Sequence, residues 1–224
     1  MWIMWSALAD TRSKAFVLAA AALMAGCGDS GTGPSGMGSV QAYVRDEPSS
    51  TAGAPSRNGG PSPSSHGSGS YSGTLDADAQ VSVAGEGGVW VELGPPSSAS
   101  LDLQASGSGI DLHGDVVVPV GTYTRVRLVL TGAQARLNTG STIGGISLMA
   151  SVTMNVGAGG TVVIEKEVPP FEVRADTRTT IYWDMNSEFW VTEENVEDEE
   201  VDEPEVEEAA EPWVEEEPGD GQMM

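Results

Sequence analysis

Residues 116–130, VVVPVGTYTRVRLVL, contain the clearest strand pattern in the chain, with a break at the central glycine. Beyond the break, one set of alternate residues is wholly aliphatic: Val126, Leu128 and Leu130. The other set is Arg125, Arg127 and Val129. Alternate residues of a strand point to opposite faces of a sheet. The stretch therefore predicts a sheet with one buried face and one face in water.

The break itself has turn chemistry. Gly121 is predicted to adopt a positive φ in a hairpin turn, which glycine does without steric cost. Pro119 can end a strand because no backbone donor is needed there. Tyr123 is placed to cover the end of the sheet and to hydrogen-bond through its hydroxyl. We expect these residues to serve folding rather than binding.

Short strands separated by turn signals continue from residue 71 to about residue 190. No segment between residues 28 and 186 has helical periodicity of useful length. The pattern predicts an all-β fold: a single antiparallel β-sandwich of the immunoglobulin or transthyretin-like class, over residues 39–190. A Ser/Gly/Pro-rich segment at residues 49–70 is predicted to be a disordered loop inserted in that domain.

Acidic residues are concentrated at the C-terminus. The chain of 224 residues has 33 Asp and Glu against 10 Lys and Arg, and 17 of those acids with no base lie in residues 187–224. This charge argues against nucleic acid as a partner. Self-repulsion predicts a disordered acidic tail over residues 191–224. Two other roles of the tail remain open. One is weak capture of divalent cations, and the other is docking to a basic partner through Trp190 and Trp213.

A secretion signal is predicted over residues 1–27. Two basic residues, Arg12 and Lys14, precede the apolar run AFVLAAAAL at residues 15–23. That run is shorter than the roughly 20 apolar residues of a membrane-spanning helix. Residues 28–38, GDSGTGPSGMG, are predicted to form a disordered, flexible tether.

The block LMAGC at residues 23–27 resembles the lipobox of bacterial lipoproteins, with Met24 where leucine is usual. The resemblance implies cleavage of the signal before Cys27, the only cysteine, and lipidation of its thiol. Gly28 follows the cysteine, whereas an aspartate there retains lipoproteins of the enterobacterial type in the inner membrane. The expected location is therefore the cell envelope of an exported, lipid-anchored protein, with the outer membrane favoured over the inner.

Three further blocks share features with one domain family. Residues 38–48, GSVQAYVRDEP, contain an alternating strand that ends in Asp-x-Pro. Residues 118–128, VPVGTYTRVRL, contain a Pro-x-Gly-x-Tyr turn that leads into an Arg-Leu strand, and residues 180–185, TIYWDM, form a closing strand. Over residues 38–190 the chain resembles domain of unknown function 4382 of bacterial and archaeal lipoproteins. The resemblance implies an exported β-rich domain and no particular activity.

One spacing suggests a metal site. Asp111, His113 and Asp115 are two residues apart, so on a regular strand they would share a face and could hold a divalent cation. Gly114 instead favours a turn, which would point the three side chains in different directions. We prefer the solvated turn, and the sequence predicts no metal and no cofactor.

Catalytic patterns are missing from the sequence. The chain has two histidines, one of them in the segment at residues 49–70, and it has no GxSxG, P-loop or CxxC motif. No catalytic residue is predicted, and we expect the protein not to be an enzyme.

The expected role is that of an uncharacterised lipid-anchored envelope protein that acts as a binding or structural module. Fold analogy suggests a glycan or a protein as its partner, with the binding residues unknown. The alternatives are a carboxylate-dependent hydrolase and a surface protein that weakly binds divalent cations.

Overall fold

The computed structural model describes four ranges of the chain, which all lie in one compact unit, Pro34–Met224. These ranges are residues 36–46, 69–104, 109–175 and 177–218. The predicted signal, Cys27, the tether up to residue 35 and nearly all of the 49–70 loop lie outside them. No helix in the described ranges is long and apolar enough to cross a membrane.

Strands make up 60% of the described residues and helices 10%, which confirms the predicted all-β, sandwich-like fold. In chain order the strands are β1 (Met37–Arg45), β2 (Gly73–Ala84), β3 (Trp90–Glu92), β4 (Ser97–Leu103), β5 (Ile110–Asp111), β6 (Val116–Pro119), β7 (Gly121–Leu137), β8 (Thr142–Ile143), β9 (Ile146–Ser147), β10 (Val152–Val156), β11 (Thr161–Val173), β12 (Thr177–Asp184), β13 (Glu200–Val201) and β14 (Glu211–Pro218). A 3-10 turn (Ser187–Phe189) and the helices α1 (Glu193–Asp198) and α2 (Glu203–Ala209) lie near the end of the chain.

The seven-stranded sheet is built around β7. Strand β2 pairs with β7 on one side, while β11 and then β10 pair with it on the other. β3 and β4 extend the sheet beyond β2, and β13 extends it beyond β10. Val126, Leu128 and Leu130 are buried while their neighbours in β7 are partly exposed, so the predicted alternation is confirmed.

The second main sheet has the order β14-β12-β1, with β5 and β6 both paired to the far side of β1. β1 and β12 run parallel, and so do β10 and β13. Both sheets are therefore mixed, and the prediction of a purely antiparallel sandwich was wrong on this point. The physical reason is that β1 and β12 come from opposite ends of the domain, so no hairpin dictates their relative direction.

The predicted hairpin at Gly121 is also wrong. β6 belongs to the five-stranded sheet and β7 to the seven-stranded sheet, so the chain crosses between sheets there. Gly121 begins β7 and has no positive φ, because a crossing needs no left-handed residue. The role predicted for Tyr123 is confirmed, since its hydroxyl donates to the Pro119 carbonyl oxygen at 2.8 Å and its ring stacks on Phe171.

The acidic C-terminal segment is ordered up to residue 218, so its predicted disorder over residues 191–218 was wrong; residues 219–224 lie outside the described ranges. We call residues 191–218 the C-terminal strap. The strap follows the 3-10 turn after β12, adds β13 to the seven-stranded sheet and then returns to add β14 to the five-stranded sheet. Four of its valines recur every five residues and are buried: Val191, Val196, Val201 and Val206. Their burial and the strand pairing offset the repulsion among the acidic side chains.

Candidate functional site

The structure does not bring the three weak candidates for metal ligands, Asp111, His113 and Asp115, into one group. Asp111 Oδ1 accepts the backbone N–H groups of His113 and Gly114, at 3.1 and 2.6 Å, which closes a turn. Gly114 has the positive φ of 59° that this turn requires. Asp115 lies elsewhere, 3.1 Å from both Nε and Nη2 of Arg178. Within the described ranges, no group of three or more His, Cys, Asp and Glu side chains could hold a metal ion.

His113 has a folding contact instead. Its Nε2 accepts the backbone N–H of Val81 at 3.3 Å, and only an imidazole with an unprotonated Nε2 can accept it. Burial lowers the pKa of His113 although the nearby Asp111 carboxylate opposes the shift. The neutral ring joins the β5–β6 turn to β2.

A buried polar cluster lies where β1, β4 and β12 end. The Asp46 carboxylate is fully buried and accepts three donors: the Ser187 N–H at 2.6 Å, the Gln104 N–H at 2.7 Å and the Ser187 hydroxyl. The Tyr71 hydroxyl lies 2.7 Å from Ser187 Oγ, and the Gln104 side-chain amide donates to Tyr71 at 3.1 Å. This Asp46 cluster connects the end of β1 to the segment that leads into the strap.

Two residues beside the Asp46 cluster have strained backbones. Gln104 has a φ of 58° and Asn186 a φ of 45°, in the left-handed region that costs a non-glycine residue energy. The Asp46 carboxylate accepts the backbone N–H of Gln104 and that of Ser187, the residue after Asn186, and so holds both strained backbones. Because Ser187 is fully buried, its hydroxyl is closed to substrate, and the cluster is suited to holding the chain rather than to catalysis.

Asp46 gives the protein a defined pH dependence. Burial raises the pKa of Asp46 above its ordinary value of 3.8, although the donors from Ser187 and Gln104 oppose the shift. A raised folded-state pKa means that the stability contributed by Asp46 is complete at acidic pH and decreases as pH rises through the folded-state value. We expect the urea-unfolding free energy of the native protein minus that of Asp46→Asn to decrease from pH 4 to pH 8. A difference that increases with pH would contradict this.

The end of the strap is held by stacked aromatic rings. Tyr43, Tyr182 and Trp213 are register partners across β1, β12 and β14. Their ring centroids are 5.6 and 4.9 Å apart, and the Arg45 guanidinium lies 4.0 Å from the centroid of Trp213. The stack and the Arg45 contact hold Trp213 against the sandwich, while part of its surface stays exposed.

Trp190, the other predicted anchor, is fully buried. Its indole N–H donates to the Met185 carbonyl oxygen at 3.0 Å. The Asn195 side-chain amide, in α1, donates to the Trp190 carbonyl oxygen at 2.8 Å. Both tryptophans proposed as docking residues therefore fasten the strap to its own sandwich.

The strap closes the edge of β11. Glu203 Oε1 accepts the N–H of Val163 at 3.0 Å, and Glu216 Oε1 accepts the N–H of Glu172 at 3.1 Å. An exposed strand edge offers unpaired N–H groups to other chains, and these contacts remove two of them. Some of the strap's carboxylates thus have a structural use.

Other carboxylates of the strap, those of α1 among them, face water. Glu193, Glu194 and Glu197 of α1 are exposed, and no lysine or arginine occurs from residue 187 onward. Salt screens such repulsion, shortening the Debye length from about 30 Å at 0.01 M to about 8 Å at 0.15 M. We expect an increase in NaCl from 0.01 to 0.15 M to raise the melting temperature by about 3 °C or more. That shift corresponds to about 1 kcal/mol of relieved repulsion in a domain of this size.

A matched variant tests the origin of the salt effect. Replacing Glu193, Glu194 and Glu197 by glutamine should make the melting temperature less dependent on salt, because three like charges are removed. A melting temperature that falls with salt, or an unchanged salt dependence in the variant, would contradict the repulsion described here.

A second cluster lies on the outer face of the seven-stranded sheet. Trp90 of β3 and the two arginines of β7 form it, and we call it the Trp90 face (Trp90, Arg125 and Arg127). The guanidinium carbon of Arg127 is 4.4 Å from the Trp90 ring centroid and that of Arg125 is 5.2 Å from it. In the register of the sheet, Ala84 of β2 lies between Trp90 and Arg125, and Ser82 of β2 is the partner of Arg127. The small side chains of Ala84 and Ser82 let the arginines reach the ring.

One cavity in the sandwich has a volume of about 20 Å³ and is lined only by apolar side chains, among them Val44, Leu112 and Met185. A cavity of that size holds about one water, and an apolar lining gives that water no partner. This cavity is therefore too small and too apolar to serve as a binding site.

No family model, curated protein or solved structure matches the chain. The resemblance to domain of unknown function 4382 stays a prediction.

Sequence reasoning missed both clusters. The sequence indicated Asp46 only as the end of an alternating strand, and no pattern singled out Trp90. The spacing of Arg125 and Arg127 did indicate that both lie on one face of β7. Their tryptophan partner comes from another strand, so only the register of three strands brings it into contact.

Proposed function

We propose that the protein is a lipid-anchored envelope protein whose strap-closed β-sandwich acts as a non-catalytic binding module. The block LMAGC at residues 23–27, which resembles a lipobox, supports the anchor. It continues from the apolar run of residues 15–23 and ends in Cys27. Several acyl chains would hold the protein far more firmly than one, at about 0.8 kcal/mol per buried CH₂ group. Gly28 after the cysteine favours the outer membrane.

One observation supports binding over catalysis. The side chains of types used in catalysis make internal contacts; these are Asp46, Ser187 and His113. The Trp90 face instead carries two guanidinium groups on an outer surface. Aromatic and arginine side chains are enriched where proteins bind partners. The carboxylate-dependent hydrolase and the weak divalent-cation binder stay predictions.

Labelling with palmitate tests the anchor. The native protein should incorporate labelled palmitate, and Cys27→Ala should abolish incorporation and release the protein from the membrane fraction. Ser30→Ala is the matched control, since it leaves the lipobox unchanged. Palmitate incorporation that persists in Cys27→Ala would contradict the proposed anchor.

A further inference from the structure

One end of the sandwich brings together four chain segments around the first described residue. A Cβ atom built at Gly36 would lie 3.6 Å from the Val120 side chain and 4.0 Å from that of Ala175. A Cβ atom built at Gly85, in the turn before β3, would lie 2.8 Å from the Thr122 carbonyl oxygen. The crossing from β6 to β7 therefore joins these segments into one surface. We call it the tether end (residues 36–37, 85–89, 117–122 and 173–175).

Exposed apolar side chains are concentrated at the tether end. Five large apolar side chains are exposed in the described ranges, and three of them lie here: Met37 (52% exposed), Val117 (61%) and Val89 (75%). Pro119, the register partner of Met37, is exposed as well. Met149 lies at the opposite end, because it precedes β10, whose first residue pairs with the last residue of β7. Grouped apolar side chains are typical of interaction surfaces, whereas scattered ones are normal.

The length of chain before the tether end determines what can reach it. Eight residues, 28–35, separate Cys27 from Gly36. At no more than about 3.5 Å per residue, this segment spans at most about 30 Å. A lipid on Cys27 would therefore hold the tether end close to a bilayer. Groups joined by a short linker have an effective concentration of the order of millimolar, so even a weak contact between this end and lipid is populated.

The charges at the tether end favour a lipid surface without net charge. Arg174 Nη2 lies 2.6 Å from Glu172 Oε2, so the two charges balance. Glu215 and Glu216 of β14 are exposed beside this pair, and Glu216 Oε1 accepts the N–H of Glu172. An anionic bilayer would be repelled by the carboxylates of β14, whereas a zwitterionic one would not.

The strap helices keep most of their acidic charge away from the tether end. Helix α1 packs against β10, which pairs with the far part of β7. Glu203 of α2 accepts the N–H of Val163, whose partner Val129 is eight residues beyond Gly121 along β7. Eight residues of strand span about 25 Å, so these carboxylates lie well beyond the apolar side chains.

We propose that the tether end docks on the bilayer that holds the lipid anchor, with Met37, Val89 and Val117 in the interfacial region of a zwitterionic lipid surface. The inference rests on the proposed lipid anchor and names the surface that the anchor brings into contact. Apolar side chains of surface-bound proteins lie about 5–10 Å deep, at the boundary of headgroups and acyl chains. Docked in this way, the sandwich points the end that carries Met149 away from the membrane.

Methionine oxidation by chloramine-T, a water-soluble oxidant, tests the proposal on the full-length lipidated protein in phosphatidylcholine vesicles. Mass spectrometry reads Met37 and Met149 in the same chain, so Met149 is the internal reference. The comparison is the Cys27→Ala protein, which carries no anchor, mixed with the same vesicles. We expect anchoring to lower the ratio of Met37 to Met149 oxidation rates at least about fivefold, because docking removes Met37 from water.

A charged substitution identifies the surface that docks. Val117→Asp should return the ratio close to the value of the Cys27→Ala protein, because a carboxylate is costly to bury in lipid. Val163→Asp is the matched control, since Val163 is an exposed valine in the middle of β11, and Met37 should stay protected. Melting curves verify that each variant is folded.

Three results would overturn the proposal. The first is an equal ratio for the anchored protein and the Cys27→Ala protein, and the second is protection of Met37 that survives Val117→Asp. The third is oxidation of Met37 in the Cys27→Ala protein without vesicles that is as slow as that of the buried Met154. That result would show that the chain itself covers Met37, or a second copy if the protection grows with protein concentration. Palmitate incorporation is measured on the same preparation, so a failed anchor and a failed docking are distinguishable.

Discussion

A chain truncated after Val191 is expected to lose cooperative folding. The truncation removes α1, β13, α2 and β14, together with the buried side chains of Val196, Val201 and Val206. Full burial of one valine stabilises a protein by about 1.5–3 kcal/mol, so the three valines alone contribute roughly 5 kcal/mol. Domains are stable by only about 5–15 kcal/mol in total, so a loss of this size leaves little or no stability.

The truncation also exposes surfaces that the strap covers. Trp190 loses the Asn195 contact to its carbonyl group, and the edges of β11 and β12 lose their partners. Exposed strand edges promote aggregation, so the truncated protein should also be poorly soluble. Far-ultraviolet circular dichroism during urea unfolding measures the loss.

Removal of residues 219–224 alone is the matched control. It leaves β14 and every contact described here in place, and the urea midpoint should change little. A chain truncated after Val191 that unfolds with the native midpoint and slope would show that the strap contributes nothing to stability.

Asp46→Ala should have the second largest effect, a destabilisation of about 3 kcal/mol or more. The substitution removes the acceptor of two backbone N–H groups, on Gln104 and Ser187, and of the Ser187 hydroxyl. A buried donor left without a partner costs roughly 1–3 kcal/mol. The left-handed backbones of Gln104 and Asn186 lose the contacts that hold them, so the loss is not confined to one hydrogen bond.

Asp115→Ala is the matched control for Asp46. Asp115 also accepts several donors, from Arg178 and Ser39, but its carboxylate is 47% exposed. Exposed ion pairs contribute about 0–1 kcal/mol, so this variant should unfold close to the native protein. Equal urea midpoints for Asp46→Ala and Asp115→Ala would contradict the role given to the buried cluster.

The sequence predicted the features that depend on neighbours along the chain. Alternation in β7 indicated the buried face, and Gly114 indicated the turn that Asp111 closes. Both depend on residues within a few positions of each other, where backbone geometry restricts the outcome.

The errors arose where distant segments meet. The strap was predicted to be disordered from its charge, yet its valines recur every five residues, a spacing that matches neither a regular helix nor a strand. Val196, Val201 and Val206 belong to three different elements, α1, β13 and α2, so only the assembled sandwich gives the pattern meaning. Trp90 and Arg125 are likewise joined through the register of β3, β2 and β7, which composition does not reveal.

The acidic C-terminal segment is an ordered part of the sandwich, paired to both main sheets. Amide hydrogen exchange of the full-length protein, followed residue by residue, measures this order. Strand β14 and the hydrogen-bonded amides of Val196 and Ala210 should exchange at least about a hundredfold more slowly than an unstructured peptide. Exchange at unstructured rates throughout residues 191–218 would contradict the account.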